Sequence, residues 1–396
     1  MEEASVSIRL NPFKGLDGPA GTPVPWSPYG RILESRPSFI TDPLLHAGCY
    51  YVQDSSAMFV GHVFRRELER LGVRGGLRVL DLCASPGGKT TDIAASLREA
   101  CGDGFTLVSN EVMKARTGAL LENVALWGDP DVTVTSVDPA IIGRTLPGYF
   151  DIIVADVPCS GEGMFRKDAR AREEWSPAVV ELCAARQKRI LADVWPALRE
   201  GGVLVYSTCT YEDAENDANL RWAAETLGGE IIPPEDEFGA YGVRLTACGS
   251  LLRAGEVPGE GQWVGAMVKA MPVATEEQPL TYATATRGPA QKTPSGALRP
   301  SLSASCPTPS TSCPTRSGIS FAARDCRSQP AMTAPRVEVT LEQALKYLHR
   351  DSFPLPEAPL GMITVCYRGH PLGPAKNLGK RINNLYPKNR RILMDI

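Results

Sequence analysis

The sequence predicts an α/β protein built around a doubly wound, mostly parallel sheet. Short apolar runs at 150–155 and 201–206 are typical of strands buried on both faces. Helical patterns separate these runs, and repeated strand–helix units place their strands side by side in one sheet. The length of 396 residues and the 43% hydrophobic content allow a large core and indicate two or three domains.

The predicted elements follow in chain order. An alternating segment at 5–12 and the run 50–52 indicate short strands before the main sheet. Strands of the main sheet are predicted at 77–82, 106–110, 132–137, 150–155, 201–206 and 261–271. Helices are predicted at 112–127, 175–198 and 212–227. In the second of these helices the pattern predicts four core positions, Leu182, Ile190, Leu191 and Val194.

Composition excludes several classes of protein. The 11 cysteines are odd in number, scattered and without a CxxC pair, which disfavours a disulfide framework and metal clusters, so no metal is expected. No apolar run reaches the ~18 residues of a membrane span, and the first residues lack a signal-peptide pattern. We therefore expect a cytoplasmic monomer with reduced thiols. The net charge of -3 still allows a local basic face.

The segment L-R-V-L-D-L-C-A-S-P-G-G-K-T (residues 77–90) predicts a strand, a glycine-rich turn and the start of a helix. Gly87 and Gly88 allow a ligand to approach the backbone closely, and a helix N-terminus favours an anionic group. The spacing fits neither G-x-G-x-x-G nor a P-loop. A purely structural turn is an equally good interpretation of this segment alone.

Acidic residues end three of the predicted strands. Glu111 follows 106–110, Asp138 follows 132–137, and Asp156 follows 150–155. Asp and Glu favour turns and helix caps, which is the simpler interpretation. Ligands in open α/β sheets bind beyond the carboxyl ends of the strands, so we favour a role in holding a ribose, an adenine or a base.

Two cysteines, Cys159 and Cys209, also follow predicted strands and stand among small residues. A buried cysteine is usually a small hydrophobic residue. Cys159 and Cys209 are better candidates for chemistry, because each lies where a strand reaches the edge of the sheet that binds ligands.

The character of the chain changes beyond the main sheet. Residues 273–335 are rich in Ser, Thr and Pro and predict a disordered linker. Residues 336–396 predict a small C-terminal domain with a basic tail. Basic residues interleaved with amides and an aromatic residue favour RNA contact over a merely solvated face. The predicted RNA-binding residues are Arg368, Lys376, Lys380, Arg381, Lys388, Arg390 and Arg391.

Four motifs together resemble the Sun (Fmu) family of RNA 5-methylcytosine methyltransferases, and most closely its bacterial rRNA methyltransferase F branch. They are D-L-C-A-S-P-G-G-K-T (81–90), D-V-P-C-S-G-E-G-M-F-R-K (156–167), W-S-P (175–177) and Y-S-T-C-T (206–210), which Glu215 and Asn216 follow. The tail P-L-G-P-A-K-N-L-G-K-R-I-N-N-L-Y-P-K (371–388) adds to the likeness. The chain departs from the family in the linker and in a short N-terminal segment.

The resemblance implies a Rossmann-like class I methyltransferase sheet, a short N-terminal α+β subdomain and a small C-terminal RNA-binding α+β domain. The implied boundaries are 1–45, 46–272, 273–335 and 336–396. The implied methyl donor is S-adenosylmethionine, with Glu111 on its ribose and Asp138 near its adenine. The remaining implied donor contacts are Cys83, Ala84, Ser85, Pro86, Gly87, Gly88, Lys89 and Asp156.

The resemblance also implies how the reaction runs. Cys209 would attack carbon 6 of a cytosine, and Cys159 would assist release of the product. Asp156 would hold the edge of the base, and Lys89 would contact the donor's carboxylate or this acid. Small-subunit rRNA, possibly within a ribosomal particle, is the expected substrate, and tRNA is the alternative.

Two further functions stay open from the residues. A DNA cytosine methyltransferase would attack from Cys159, whereas an RNA enzyme of this family attacks from Cys209. A non-catalytic RNA-binding assembly factor would keep the fold without the reaction. A dehydrogenase is disfavoured because G-x-G-x-x-G is absent.

Overall fold

A computed structural model describes residues 5–271, except 168, and residues 334–394. The strands are β1 (Val6–Leu10), β2 (Thr22–Pro23), β3 (Gly30–Leu33), β4 (Tyr50–Val52), β5 (Leu77–Asp81), β6 (Phe105–Asn110), β7 (Val132–Thr135), β8 (Phe150–Asp156), β9 (Leu198–Thr208), β10 (Gly229–Ile232), β11 (Arg244–Leu245), β12 (Gly249–Arg253), β13 (Gly261–Lys269), β14 (Arg336–Glu338), β15 (Gly361–Tyr367), β16 (His370–Asn377) and β17 (Ile382–Asn384). The helices are α1 (Pro43–His46), α2 (Phe59–Leu71), α3 (Gly88–Cys101), α4 (Lys114–Trp127), α5 (Pro139–Thr145), α6 (Ala169–Glu174), α7 (Pro177–Val194), α8 (Asp217–Leu227) and α9 (Leu341–His349). Within these ranges no helix has the length and apolar character needed to cross a bilayer.

The main sheet has the strand order β11-β12-β13-β9-β8-β5-β6-β7, and β10 pairs with β13. Strands β9, β8, β5, β6 and β7 run parallel. β13 runs antiparallel to β9. The strand order reverses direction between β5 and β8, which is the point where open α/β sheets bind their ligands. The predicted doubly wound sheet is confirmed.

The predicted elements match the structure, with shifted ends. β9 is longer than predicted because it begins at Leu198 and continues to Thr208. Helix α7 begins later than predicted, because the Ser176 side chain accepts a hydrogen bond from the Val179 amide and caps it. The third predicted helix also begins later, at Asp217, after a 3-10 turn.

One predicted core position on α7 is wrong. Leu182 is 59% exposed, whereas Leu191 is fully buried. The buried stripe of α7 follows spacings of three and four residues and comprises Val180, Cys183, Ala184, Gln187, Leu191 and Val194. Leu182 lies one residue before a stripe position, and one residue turns a helix by about 100°. Its side chain therefore projects away from the core.

The N-terminal and C-terminal sheets have the orders β2-β3-β1-β4 and β14-β15-β16-β17. They share one hydrophobic core, in which Ile8 and Leu10 belong to the same cluster as Tyr347 and Leu348. The described residues accordingly belong to one compact unit. The domain boundaries stay a prediction, and the predicted linker lies outside the described residues except for its last two positions.

We predict that Leu191→Ala lowers the free energy of unfolding by about 2–5 kcal/mol, because it leaves a cavity in the core. Leu182→Ala on the same helix serves as the matched control and is expected to change it by no more than about 0.5 kcal/mol. Urea denaturation followed by circular dichroism measures both. Equal losses for the two variants would contradict the burial of α7.

Candidate active site

The two predicted cysteines meet at the carboxyl ends of β8 and β9. Asp156 of β8 pairs with Ser207 of β9, so the two chains leave the sheet at the same level. The loops that follow place the Sγ atoms of Cys159 and Cys209 3.0 Å apart. The Cys209 amide also donates a hydrogen bond to the Cys159 sulfur at 3.2 Å. Two thiols 50 positions apart in sequence thus form one reactive pair.

The environment distinguishes the two thiols. The hydrogen bond with Cys159 lowers the pKa of Cys209, and the Lys89 ammonium lowers it further, against the effects of burial and of the Asp156 carboxylate. The pKa of Cys159 is raised well above its ordinary value by its hydrogen bond to Cys209 and by burial. These opposite directions favour Cys209 as the nucleophile of the pair.

An ion pair lies beside the cysteines. The Lys89 Nζ atom is 2.8 Å from Oδ2 of Asp156. Burial opposes the Lys89 charge, but the Asp156 carboxylate outweighs this effect and raises the pKa of Lys89. The other Asp156 oxygen, Oδ1, accepts hydrogen bonds from the Ser207 hydroxyl at 2.7 Å and from Gln262 Nε2 at 3.2 Å. The carboxylate is therefore held in one orientation.

Sequence reasoning missed Ser207 and Gln262 as partners of Asp156. Gln262 lies on β13 and is 106 positions away in sequence, so no local motif connects the two residues. The available signal was a glutamine at the start of a long apolar strand. A buried amide in such a place needs hydrogen-bond partners, and these partners mark a polar site.

The glycine-rich turn runs from the end of β5 to the start of α3. Gly87 has a φ of +112°, a left-handed conformation that favours glycine. A Cβ atom on Gly88 would lie 3.1 Å from the Tyr51 ring, so a side chain would crowd this approach. The turn leaves a backbone surface at the N-terminus of α3, where a ligand can approach closely.

Helix α4 and β6 hold the rest of this turn in place. Arg116 Nη2 donates a hydrogen bond to the Ser85 carbonyl, and Asn123 Nδ2 donates to the Pro86 carbonyl, both at 2.8 Å. The Ala84 amide donates to the Asn110 carbonyl at 2.9 Å. Burial raises the pKa of the Cys83 thiol, so Cys83 contributes packing and backbone here rather than a thiolate.

The acids at the strand ends divide into two kinds. Glu111 is 2% exposed, and its Oε1 atom accepts a hydrogen bond from the Met113 amide. Its Oε2 atom is buried without a hydrogen-bond partner, and Arg116 Nη1 lies 3.5 Å from it. Asp138 caps α5, because its Oδ1 atom accepts a hydrogen bond from the Ala140 amide at 2.9 Å. Glu111 thus keeps a free acceptor for a ligand hydroxyl, and Asp138 has a structural role as well.

Asp81, at the end of β5, is an acid that sequence reasoning overlooked. It is fully buried, and burial raises its pKa to about 7. Oδ2 accepts a hydrogen bond from the Thr90 hydroxyl at 2.6 Å, whereas Oδ1 has no partner. The predicted strand ran to residue 82 and so enclosed Asp81, whereas the observed strand ends at Asp81, where the same signal as for Glu111 and Asp156 applies.

The predicted RNA-binding residues lie mostly on the surface of the C-terminal sheet and its tail. Arg390 differs from the others, because it is partly buried and its Nη2 atom lies 3.4 Å from the Glu122 carbonyl. The exposed side chains are Arg368, Lys376, Lys380, Arg381, Lys388 and Arg391. RNA contact by these residues stays a prediction.

Two of the amides interleaved with these basic residues, Asn377 and Asn384, have structural roles. Asn377 is buried and donates to the carbonyls of Leu355 and Ala358, and Asn384 is buried and donates to the Tyr347 carbonyl. They do not add to a polar surface. In the part of the chain that the structure describes, no cluster of His, Cys, Asp and Glu is arranged to hold a metal ion.

Comparison with known proteins identifies the family. Residues 70–226 match the family described as 16S rRNA methyltransferase RsmB/F, and residues 334–392 match the RsmF PUA domain. The chain is 32% identical to ribosomal RNA small subunit methyltransferase F of Klebsiella pneumoniae (strain 342), with 97% of this chain and 88% of that protein covered. The chain belongs to the RsmB/F methyltransferase family.

Other comparisons agree with this family. Ribosomal RNA small subunit methyltransferase F of Salmonella paratyphi C is 30% identical, with 96% of this chain and 89% of that protein covered. The solved structure of a methyltransferase homolog protein from Pyrococcus horikoshii has a TM-score of 0.55 and 24% identity, with 68% of this chain and 87% of that chain covered. The predicted family, fold, enzyme class and S-adenosylmethionine cofactor are confirmed.

We predict that Lys89→Met raises the pKa of Cys209, because the variant loses an ammonium that stabilises the thiolate. The midpoint of alkylation of Cys209 by iodoacetamide should then move to higher pH. Peptide mass spectrometry of samples alkylated across a pH series measures this midpoint. Lys346→Met, which removes a partly exposed lysine of α9 that pairs with Glu342, is the control and should leave the midpoint unchanged. An unshifted midpoint in Lys89→Met would contradict the electrostatic role of Lys89.

We also predict that Glu111→Ala weakens S-adenosylmethionine binding about tenfold or more, because a buried carboxylate acceptor for the ribose is lost. Isothermal titration calorimetry gives the dissociation constant. Glu225→Ala, at an exposed position on α8, serves as the control. Equal affinities of Glu111→Ala and the parent protein would remove Glu111 from the donor site.

Proposed function

We propose that this protein transfers a methyl group from S-adenosylmethionine to carbon 5 of a cytosine in small-subunit rRNA. The observation that carries the proposal is the 3.0 Å contact between the Sγ atoms of Cys159 and Cys209. Membership of the RsmB/F family and the names of the relatives support rRNA as the substrate. Presentation of the RNA within a ribosomal particle and action as a monomer stay predictions.

The residues of the glycine-rich turn and the strand ends fit the methyl donor. The free Oε2 atom of Glu111 suits a ribose hydroxyl, and the close approach at Gly87 and Gly88 suits the methionine part of the donor. Asp138, which also caps α5, would contact the adenine. When bound, S-adenosylmethionine supplies an electrophilic methyl group.

Covalent catalysis begins at Cys209. Carbon 5 of cytosine is a poor nucleophile, and addition of a thiolate to carbon 6 makes the ring enamine-like. The lowered pKa of Cys209 favours that thiolate. A carbon–sulfur bond forms at carbon 6, and carbon 5 can then take the methyl group. A cytosine paired within an RNA helix has to be flipped out to reach this sulfur.

Asp156 assists this addition from the edge of the base. Its carboxylate lies on the same strand end as Cys159 and is oriented by Lys89, Ser207 and Gln262. A fixed carboxylate can hold the amino and ring-nitrogen edge of cytosine and make carbon 6 more electrophilic.

Product release breaks the covalent bond between the cytosine and Cys209. Carbon 5 loses its proton while the bond between carbon 6 and the Cys209 sulfur breaks. The Cys159 thiol lies 3.0 Å from that sulfur, so it can pass its proton to the departing thiolate. The Cys159 sulfur then takes up the proton lost from carbon 5, which leaves both cysteines as thiols. One proton passes to solvent before the next turnover.

A DNA-type reaction, in which Cys159 attacks, has less support. Attack from Cys159 requires that its thiol loses a proton. The hydrogen bond to Cys209 and burial both raise the pKa of this thiol and so oppose that loss. The intact donor turn and cysteine pair also favour an enzyme over a non-catalytic assembly factor. No feature of the described residues favours tRNA over rRNA.

We test the proposal with tritiated S-adenosylmethionine and unmodified small-subunit rRNA. The parent protein should label cytosine at carbon 5, and Cys209→Ala should give background labelling because it lacks the nucleophile. Cys159→Ala should form a covalent RNA adduct that persists on a denaturing gel, because release is blocked. Scintillation counting and nucleoside mass spectrometry measure the product.

Cys101→Ala, at the half-buried end of α3, is the matched control and should keep full labelling. Labelling by Cys209→Ala, with none by Cys159→Ala, would reverse the two roles. Binding of RNA without labelling by the parent protein would favour an assembly factor instead.

A further inference from the structure

A buried polar network lies beneath the cysteine pair, and the reaction described above does not use it. Its centre is Glu215, which is fully buried in the 3-10 turn Asp213–Glu215 that precedes α8. The Ser160 amide donates to the Glu215 carboxylate at 3.1 Å, and Gln187 Nε2 donates to the same oxygen at 2.7 Å. Ser160 follows Cys159 directly, so the Glu215 carboxylate fixes the loop that carries the Cys159 thiol.

Gln187 fixes the same loop from its other end. Its Nε2 atom also donates to the Pro158 carbonyl at 3.0 Å. Its Oε1 atom accepts hydrogen bonds from Asn219 Nδ2 at 2.7 Å and from the Tyr206 hydroxyl at 3.0 Å. The orientation of the Gln187 amide is thereby set, because turning it over would bring donors against donors. Cys159 is thus held through both of its neighbours in the chain.

The position at Glu215 suits a carboxylate better than an amide. Two donors, the Ser160 amide and Gln187 Nε2, converge on one oxygen of Glu215, and its second oxygen lies 3.4 Å from the Ser160 amide. A glutamine here could accept both bonds through its one oxygen, but its NH2 group would then face the Ser160 amide, so that two donors oppose each other. The substitution would also remove the negative charge near Cys159.

We infer that Glu215 is a positioning residue for product release, because it holds the Pro158–Ser160 loop so that the Cys159 thiol faces the departing Cys209 sulfur. This inference rests on the proposed function and deepens it. Glu215 touches neither the substrate nor the reacting atoms. Its negative charge also favours the protonated form of Cys159, since the nearby carboxylate contributes to the raised pKa of that thiol.

The inference separates two steps of one reaction. Attack by Cys209 depends on the Cys159 thiol only through the pKa of Cys209, which Lys89 also lowers, whereas release needs a proton from the Cys159 thiol itself. Loss of Glu215 should therefore leave the first methyl transfer largely intact and slow the steps that follow. A residue needed only for folding would lower both steps together, through the fraction of folded protein.

The test compares Glu215→Gln with the parent protein and Cys159→Ala in full-length form, with unmodified small-subunit rRNA and tritiated S-adenosylmethionine. Glu215→Gln should keep single-turnover methyl transfer, lose about tenfold in steady-state turnover, and accumulate the covalent RNA adduct on a denaturing gel. Gln187→Met keeps the side-chain shape but removes the Nε2 group that donates to Glu215 and to the Pro158 carbonyl. It gives a second measurement of the adduct should Glu215→Gln not fold.

Asn11→Ala is the matched control, because it removes buried hydrogen bonds to the Gly48 and Trp127 carbonyls and leaves the network around Glu215 untouched. It should lower the melting temperature without adduct accumulation. Adduct in Cys159→Ala but in neither Glu215→Gln nor Gln187→Met would overturn the inference, as would equal adduct in Asn11→Ala. No adduct and no labelling in any protein, including the parent, would instead mean that the proposed function is wrong.

Discussion

The parallel pairing of β8 with β9 is the constraint on which the site depends. The register aligns Asp156 with Ser207, so the segments that follow leave the sheet at the same height. Since Cys159 lies three residues beyond Asp156 and Cys209 lies two beyond Ser207, equal departure points bring the sulfurs together. A slip of this register by one residue would reverse the faces of the side chains and separate the pair.

The charged residues around Cys159 and Cys209 give these two cysteines different pKa shifts and therefore different roles. Lys89 lies where it favours the Cys209 thiolate, and Glu215 lies where it favours the Cys159 thiol. Asp156 neutralises Lys89 and so prevents an isolated buried cation. The polarity of the cysteine pair therefore comes first from the hydrogen bond between the two sulfurs, and Lys89 on α3 and Glu215 in the turn before α8 add to it.

Sequence alone predicted much of the fold and the main residues of the site. Strong apolar runs followed by acids and cysteines predicted β8 and β9, and the glycine-rich turn predicted the loop that would bind the methyl donor. Leu182 was misjudged because a helix can be amphipathic while its stripe is shifted by one residue. Asp138 also caps helix α5, and the proline that follows it at the first helical position already suggested this cap.

Partners that are distant in sequence could not be predicted in the same way. Gln262 reaches Asp156 only because β13 runs antiparallel along β9, and this pairing has no local sequence signature. The hydrogen bond from the Ser160 amide to Glu215 likewise depends on the packing of α7 against the turn before α8. The buried amides of the C-terminal tail were taken for surface residues, because sequence shows composition and not the direction of side chains.

The core shared by the two ends of the chain has a consequence for synthesis. Ile8 and Leu10 are made before the main sheet, whereas Tyr347 and Leu348, which belong to the same cluster, are made after it. The ribosome adds residues at about 5–20 per second, so the strand that carries Ile8 and Leu10 waits tens of seconds for these partners. During that interval its apolar face lacks part of its cover, and the nascent chain completes this core only after the whole main sheet has been made.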